Sequence, residues 1–375
     1  MDFTRLEHYI DSLESIGFRA CDIEVRYKGE KVFRHSMGYS DANGTKPVSN
    51  TDLYWMYSMT KVVTCTTAMR FVERGELGLD DELCKYLPEF TNMMVETENG
   101  LVPAKNKILI NHLFSMRSGL TYELMSPSLK EARKNNNAST REIISAIAKE
   151  PLVFEPGTDY NYSLSHDVLA AVLEVIAGKT FHEILKEEIF EPLGMKDIGF
   201  MPNDEQLKRF STRYVYDPNN FVCNPSPKDI LECEYRLSDK FESGGAGLFC
   251  TLDEYMKLVE ALSLGGTAKN GYKVLSMDSI NIMRQNRQTE KEIPKMKPGY
   301  GYALGVRTMM DKKLGNSKSS IGEYGWDGAA CSYCLIDPDK QIGVVYTTQM
   351  MNCGIHYSCV HPYMRNLIYM ALGED

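Results

Sequence analysis

No apolar run in these 375 residues is long enough to span a bilayer. Lysine and arginine nowhere cluster into a basic run, and the formal net charge is −9, which argues against a nucleic-acid binder. The amino terminus, Met1-Asp2-Phe3-Thr4-Arg5-Leu6-Glu7, lacks a basic n-region and an apolar h-region, so no secretory signal is expected. Phosphate loops, dinucleotide fingerprints, internal repeats and low-complexity segments are all missing. The ten cysteines are scattered, and with no signal they are expected to be reduced, in a cytoplasm. Cys331-x-x-Cys334 has metal-site spacing, but in a strand its thiols face opposite sides and no second pair accompanies it. Cys353, His356, Cys359 and His361 fit no standard zinc template, so packing is the expected role.

What remains is globular material, 43% hydrophobic and 25% charged, sufficient for a large core. Phe3, Leu6, Ile10, Leu13 and Ile16 recur at helical spacing before Gly17. Cys21–Tyr27 and Lys31–His35, joined at Lys28-Gly29, read as a β-hairpin. From about 76 to 240 the pattern is helices and long loops. Ser139/Glu142 and Thr180/Glu183 form capping boxes there, and an apolar helix from Asp167 closes at Gly178. Residues 202–240 are polar and read as an extended loop region. Past Ser243-Gly244-Gly245-Ala246-Gly247, strands are expected at Ala303–Met309, Ser332–Ile336 and Ile342–Thr348, then a final helix to Leu372. The economical arrangement is an α+β chain. One sheet is built from both ends and flanked by helices (about 1–60 and 245–375), and a helical lobe is inserted (about 61–244).

Chemistry is concentrated at Met56-Tyr57-Ser58-Met59-Thr60-Lys61. Ser58 is the only serine with a lysine three places on, and that spacing sets both side chains on one helical face. A lysine in a dry setting loses its charge and accepts a serine proton. Taken alone, the pair also fits an ordinary helix start with a surface lysine. Tyr160 and Tyr162 follow the Pro156-Gly157 turn, and a hydroxyl there relays protons if it faces the lysine. Gly325-Trp326-Asp327-Gly328-Ala329-Ala330 precedes a strand, and its N–H groups suit an oxyanion hole with that of Ser58. Loop aromatics and a plain turn are the alternatives. His166 is expected to pack at its helix start, since Lys61 already supplies a base.

The order Ser58-x-x-Lys61, Tyr162-Ser163, Trp326-Asp327-Gly328 resembles the penicillin-binding-protein-like serine hydrolases related to class C β-lactamases. Asn50–Tyr54, Ile110–Leu120 and Ser243–Leu248 add to the likeness, which spans roughly residues 20 to 350. The resemblance implies a β-lactamase/transpeptidase-like fold, Ser58 as nucleophile, Lys61 with Tyr162 as base, and backbone N–H groups of Ser58 and Ala329 as oxyanion hole. It implies a small-molecule acyl substrate and neither metal nor organic cofactor. Two departures bear on the substrate. Trp326 and Asp327 stand where penicillin-recognising members carry a cation and a hydroxyl, and Leu164 replaces the usual Asn of the tyrosine motif. Trp326, Asp327, Gly328 and Leu164 are the expected pocket residues. The pattern looks more like the family VIII esterase branch, with uncharged or amine-bearing acyl substrates. Asp327 as a partner for an ammonium group keeps a D-aminopeptidase or carboxypeptidase reading open, and a catalytically silent binding relative is the other alternative.

Overall fold

The computed structural model describes residues 1–374. Its central sheet has seven antiparallel strands: β1 (Ala20–Tyr27), β2 (Glu30–Gly38), β3 (Tyr300–Tyr302), β4 (Arg307–Met309), β5 (Tyr324–Gly325), β6 (Tyr333–Asp337) and β7 (Ile342–Thr347), in the order β3-β4-β5-β6-β7-β1-β2. The two chain ends meet where β1 pairs with β7, from Asp22 opposite Thr347 to Tyr27 opposite Ile342.

Alternation along these strands feeds two cores. Tyr333, Leu335, Val344 and Tyr346 face a layer made by helices α1 (Thr4–Ser12) and, at the other end of the chain, α5 (His361–Leu372). Cys334, Ile336 and Val345 face the opposite layer, where α4 (Leu252–Ser263) contributes Tyr255, Leu258 and Val259. Cys331 and Cys334 accordingly fall in different cores, on opposite sides of the sheet. The larger core continues into the helical part of the chain, around α2 (Thr60–Glu73) and α3 (Ser165–Ala177). The boxes at Ser139 and Thr180 cap their helices with bonds in both directions.

Three expectations need correction. Ala303–Met309 is not one strand: Ala303–Gly305 is the tight turn between β3 and β4, and Gly305 takes φ +83° with no room for a Cβ beside Cys65 Sγ, 2.2 Å away. Residues 202–240 are not all loop. They contain a short helix, Asp204–Leu207, and the hairpin Tyr214–Asp217 with Val222–Pro225, extended by a parallel contact to Met350–Met351. The middle of the chain is not purely helical either, since Met94–Thr97 and Gly100–Pro103 pair as a small hairpin. In each case long-range pairing organises segments too short to show a period of their own. No helix among the described residues is long and apolar enough to cross a membrane.

Candidate active site

Ser58 sits in a single 3₁₀ turn, Tyr57–Met59, that runs into α2. Tyr57 adopts φ +46°, an uncommon conformation for a bulky residue. It is held by packing, because its ring lies among Leu53, Trp55, Phe249 and Ala330. The turn keeps the three-residue spacing on one face, and Lys61 Nζ donates to Ser58 Oγ at 3.2 Å and to the carbonyl of Gly245 at 2.7 Å. The glycine-rich loop lies flush against α2 and α3. A Cβ on Gly244 would stand 2.5 Å from the carbonyl oxygen of His166, and one on Gly245 would stand 2.6 Å from Asp167 Oδ2.

Tyr162 reaches the same serine from the loop before α3, its hydroxyl donating to Ser58 Oγ at 2.8 Å. Trp326 Nε1 donates in turn to the Tyr162 hydroxyl at 3.2 Å. The rings form a wall. Tyr122 stacks on Tyr162 at 5.4 Å, Tyr162 on Trp326 at 5.8 Å, and Lys61 Nζ lies 4.6 Å from the Tyr162 ring centre.

Electrostatics separates the two candidate bases. Lys61 is fully buried, and desolvation pulls its ammonium down to about 7, against an opposing pull from Asp167. Burial pushes the Tyr162 phenol far up, only partly offset by its bonds with Ser58 and Trp326. Near neutral pH the lysine is thus the group able to take a proton, and the phenol is a neutral donor. His166 is inert by comparison. It is buried, bonded through Nε2 to the carbonyl of Phe114 at 3.0 Å, and desolvated down to about 3.

Across the cleft, Gly328 lies against the strand that leads to the serine. A Cβ there would stand 2.5 Å from the carbonyl oxygen of Met56. Tyr357 donates its hydroxyl to the carbonyls of Gly328 and Ala329, at 2.7 and 3.0 Å. In a trans peptide the next N–H points opposite the carbonyl. Binding the Gly328 oxygen therefore turns the Ala329 N–H away from Tyr357, and among the described residues that N–H has no partner. It is available to a developing oxyanion.

Two expected pocket residues sit differently. Leu164 is buried in the core of the helical part, beside Val168 and Leu169, rather than on the cleft wall, because it immediately precedes the inward face of α3. Asp327 is already paired: Lys297 Nζ lies 3.1 Å from it and Arg307 Nη1 3.4 Å. Burial opposes ionisation there, yet these cations hold its carboxyl well below the usual range.

Several participants escaped the sequence reading. Asp167 accepts from Ser243 Oγ at 2.6 Å and from the N–H of Gly245 at 3.1 Å, anchoring the loop that holds Lys61. Its signal was an acid opening an otherwise apolar helix. Tyr357 and Arg307 gave no local signal, being 28 and 20 residues from Ala329 and Asp327. Elsewhere, Cys331, Cys353 and His356 bring three ligand atoms within 4.8 Å of one another in the core under the sheet. The sequence had placed Cys331 in a separate motif from the other two. His356 Nδ1 bonds Cys353 Sγ at 3.3 Å.

A serine flanked by a buried lysine and a tyrosine, in a cleft between an antiparallel sheet and a helical layer, defines a β-lactamase/transpeptidase-like serine hydrolase architecture. The Beta-lactamase family model matches residues 16–352, and the chain belongs to that family, near its esterase branch. Among curated relatives, Esterase EstB of Burkholderia gladioli is 25% identical over 351 residues, covering 86% of this chain and 84% of its own. Lovastatin esterase of Penicillium rubens is 29% identical over 277 residues, covering 69% and 67%. Among solved structures, EstCE1, a hydrolase with promiscuous acyltransferase activity, superposes with TM-score 0.83 at 24% identity, covering 98% of each chain. Simvastatin synthase (LovD) of Aspergillus terreus does so with TM-score 0.80 at 20% identity, again covering 98% of each.

Proposed function

We propose that this protein is a serine esterase that cleaves small carboxylic esters through an acyl-enzyme on Ser58. The observation that carries the reading is the convergence on Ser58 Oγ of Lys61 Nζ at 3.2 Å and the Tyr162 hydroxyl at 2.8 Å. Desolvation holds that lysine near neutrality. Ser58 Oγ attacks the ester carbonyl carbon while Lys61 takes its proton. The carbonyl oxygen becomes an oxyanion facing the N–H groups of Ser58 and Ala329. As the tetrahedral species collapses, Tyr162 gives its proton to the departing alkoxide and regains one from Lys61, so the alcohol leaves neutral. Water then attacks the acyl-enzyme, Lys61 removes its proton, and the carboxylic acid and free Ser58 result.

Esters are favoured over β-lactams and D-peptides by the third motif. Trp326 replaces the cation that would pair a substrate carboxylate there, and Asp327, engaged by Lys297 and Arg307, has no charge left for an ammonium group. Relatives named as esterases and acyltransferases support the same choice. The test is a panel of short-chain nitrophenyl esters, a D-alanyl anilide and a chromogenic cephalosporin, together with fluorophosphonate labelling. Turnover of the esters well above the other two, with label on Ser58, is expected. An unlabelled Ser58 under conditions that label an active esterase would overturn the enzyme reading, and efficient cephalosporin turnover would overturn the ester preference.

A further inference from the structure

Next to the nucleophile lies a cavity of about 480 Å³ that the steps above leave unused. It begins at Tyr57, the residue before Ser58, and runs between the Tyr214–Asp217 hairpin and the segment 224–235. Tyr235 ties it to the catalytic wall, packing edge-on at 5.7 Å against both Tyr57 and Tyr122.

Arg213 lines this cavity and is only 6% exposed. Three arginines are buried, and the other two are fully engaged. Arg307 meets the carboxylates of Glu323 and Asp327. Arg365 uses all three guanidinium nitrogens, on Tyr300, Asn366 and the carbonyls of Gly315 and Asn316. Arg213 uses one: Nη2 donates to the carbonyls of Lys228 and Asp229, at 3.3 and 2.8 Å. Its Nε and Nη1 have no hydrogen-bond partner among the described residues, and no carboxylate lies within ion-pair distance. A buried guanidinium left so is costly unless an anion completes it. The other lining cation, Lys228, is paired with Glu234 at 2.9 Å. Asp217 and Glu232 also line the cavity, so one free positive charge stands against two carboxylates there. That balance suits a monoanion rather than a dianionic phosphate, and a planar fork suits a carboxylate.

We infer that Arg213 forms a subsite for a carboxylate carried by the substrate, so that the preferred esters are monoesters of dicarboxylic acids, bound with the ester at Ser58 and the free acid at Arg213. The inference rests on the esterase reading for its chemistry but not for its binding. It also reverses the sequence expectation of an uncharged or amine-bearing substrate: the cation missing from the third motif is supplied from the 214–235 side of the cleft.

The test compares 4-nitrophenyl hydrogen adipate with 4-nitrophenyl hexanoate, a neutral ester of equal acyl length. At least a tenfold preference in kcat/KM for the adipate is expected in the wild type. That ratio should collapse in Arg213→Met and persist in part in Arg213→Lys. A purely structural role would lower both rates and leave the ratio alone. In a second arm, monoethyl adipate is titrated by calorimetry into Ser58→Ala, with and without Arg213→Met. Binding that needs Arg213 supports the subsite even if Ser58 proves unreactive. Ester hydrolysis without acid preference, or adipate binding unaffected by Arg213→Met, would overturn the subsite and leave the esterase reading standing.

Discussion

Asp167 and Asp327 are both buried beside the site, one on the helical side and one at the sheet edge, in opposite surroundings. Asp327 sits between Lys297 and Arg307, which hold its carboxyl down. Asp167 has no ion pair. Burial raises its carboxyl, Oδ2 has no partner, and the nearest cation that acts on it is Lys61. The sheet side therefore spends its charges on one another and acts as a rigid edge that presents the Ala329 N–H. The helical side is starved of countercharge, and that starvation keeps Lys61 close to neutral. A base needs the poorly solvated environment and an oxyanion hole needs the rigid one.

Replacing the lysine tests this contrast with the largest expected effect. Lys61→Met should lower kcat by about 10³-fold or more, the loss of a general base. The same change should stabilise the fold. The folded pKa of about 7 lies below the model value of 10.5, so between those values the unfolded chain binds a proton that the folded chain does not. Wild-type stability accordingly rises with pH across that window, and the burden is greatest at and below neutral pH. Urea unfolding should show Lys61→Met gaining roughly 2–4 kcal/mol at pH 7, with the gain shrinking toward pH 10. Equal stability of the two proteins at pH 7 would mean that Lys61 is solvated and charged in the folded state.

Asp327→Asn should act the other way, leaving Lys297 unpaired and Arg307 with Glu323 alone. A stability loss of about 3 kcal/mol is expected from breaking a buried cluster, with activity at 25 °C falling less than about tenfold. The folded carboxyl lies below its ordinary value. Its stabilisation is therefore present above about pH 4 and fades only as the pH falls toward the folded value. Denaturation midpoints at pH 7 and pH 3 should thus differ less in the variant than in the wild type.

The smallest effect is expected at Asp167. Its charge raises the lysine, so Asp167→Asn should move the acid limb of the kcat profile to lower pH, by under about one unit. An upward shift would show that Asp167 does not act on Lys61 through its charge. No shift would place the proton on the carboxyl already.

The helical corner was legible because its parts are local. Ser58 and Lys61 are a turn apart, and Tyr162 stands just ahead of an apolar helix. The sheet edge was half legible. Trp326, Gly328 and Ala329 could be picked out, but Asp327 read as a free acid because its partners, Lys297 and Arg307, lie 30 and 20 residues upstream. Tyr357 lies in the π-helical turn ahead of α5, where no pattern suggested that it would clamp a loop 28 residues earlier. Arg213 was hidden in a segment read as loop, whose hairpin depends on pairing with Met350–Met351.

By itself, the sequence determined the nucleophile, its base, the tyrosine and the two-ended sheet, because helical and strand periodicities fix which side chains share a face over a few residues. Only the tertiary structure decided how charge is shared around them: which acid is neutralised, which lysine is dried, and which arginine is left open to a ligand. Those outcomes depend on groups brought within 3 to 4 Å across tens to hundreds of residues. Coulombic and desolvation energies respond to that separation in space and to burial, and residue order records neither.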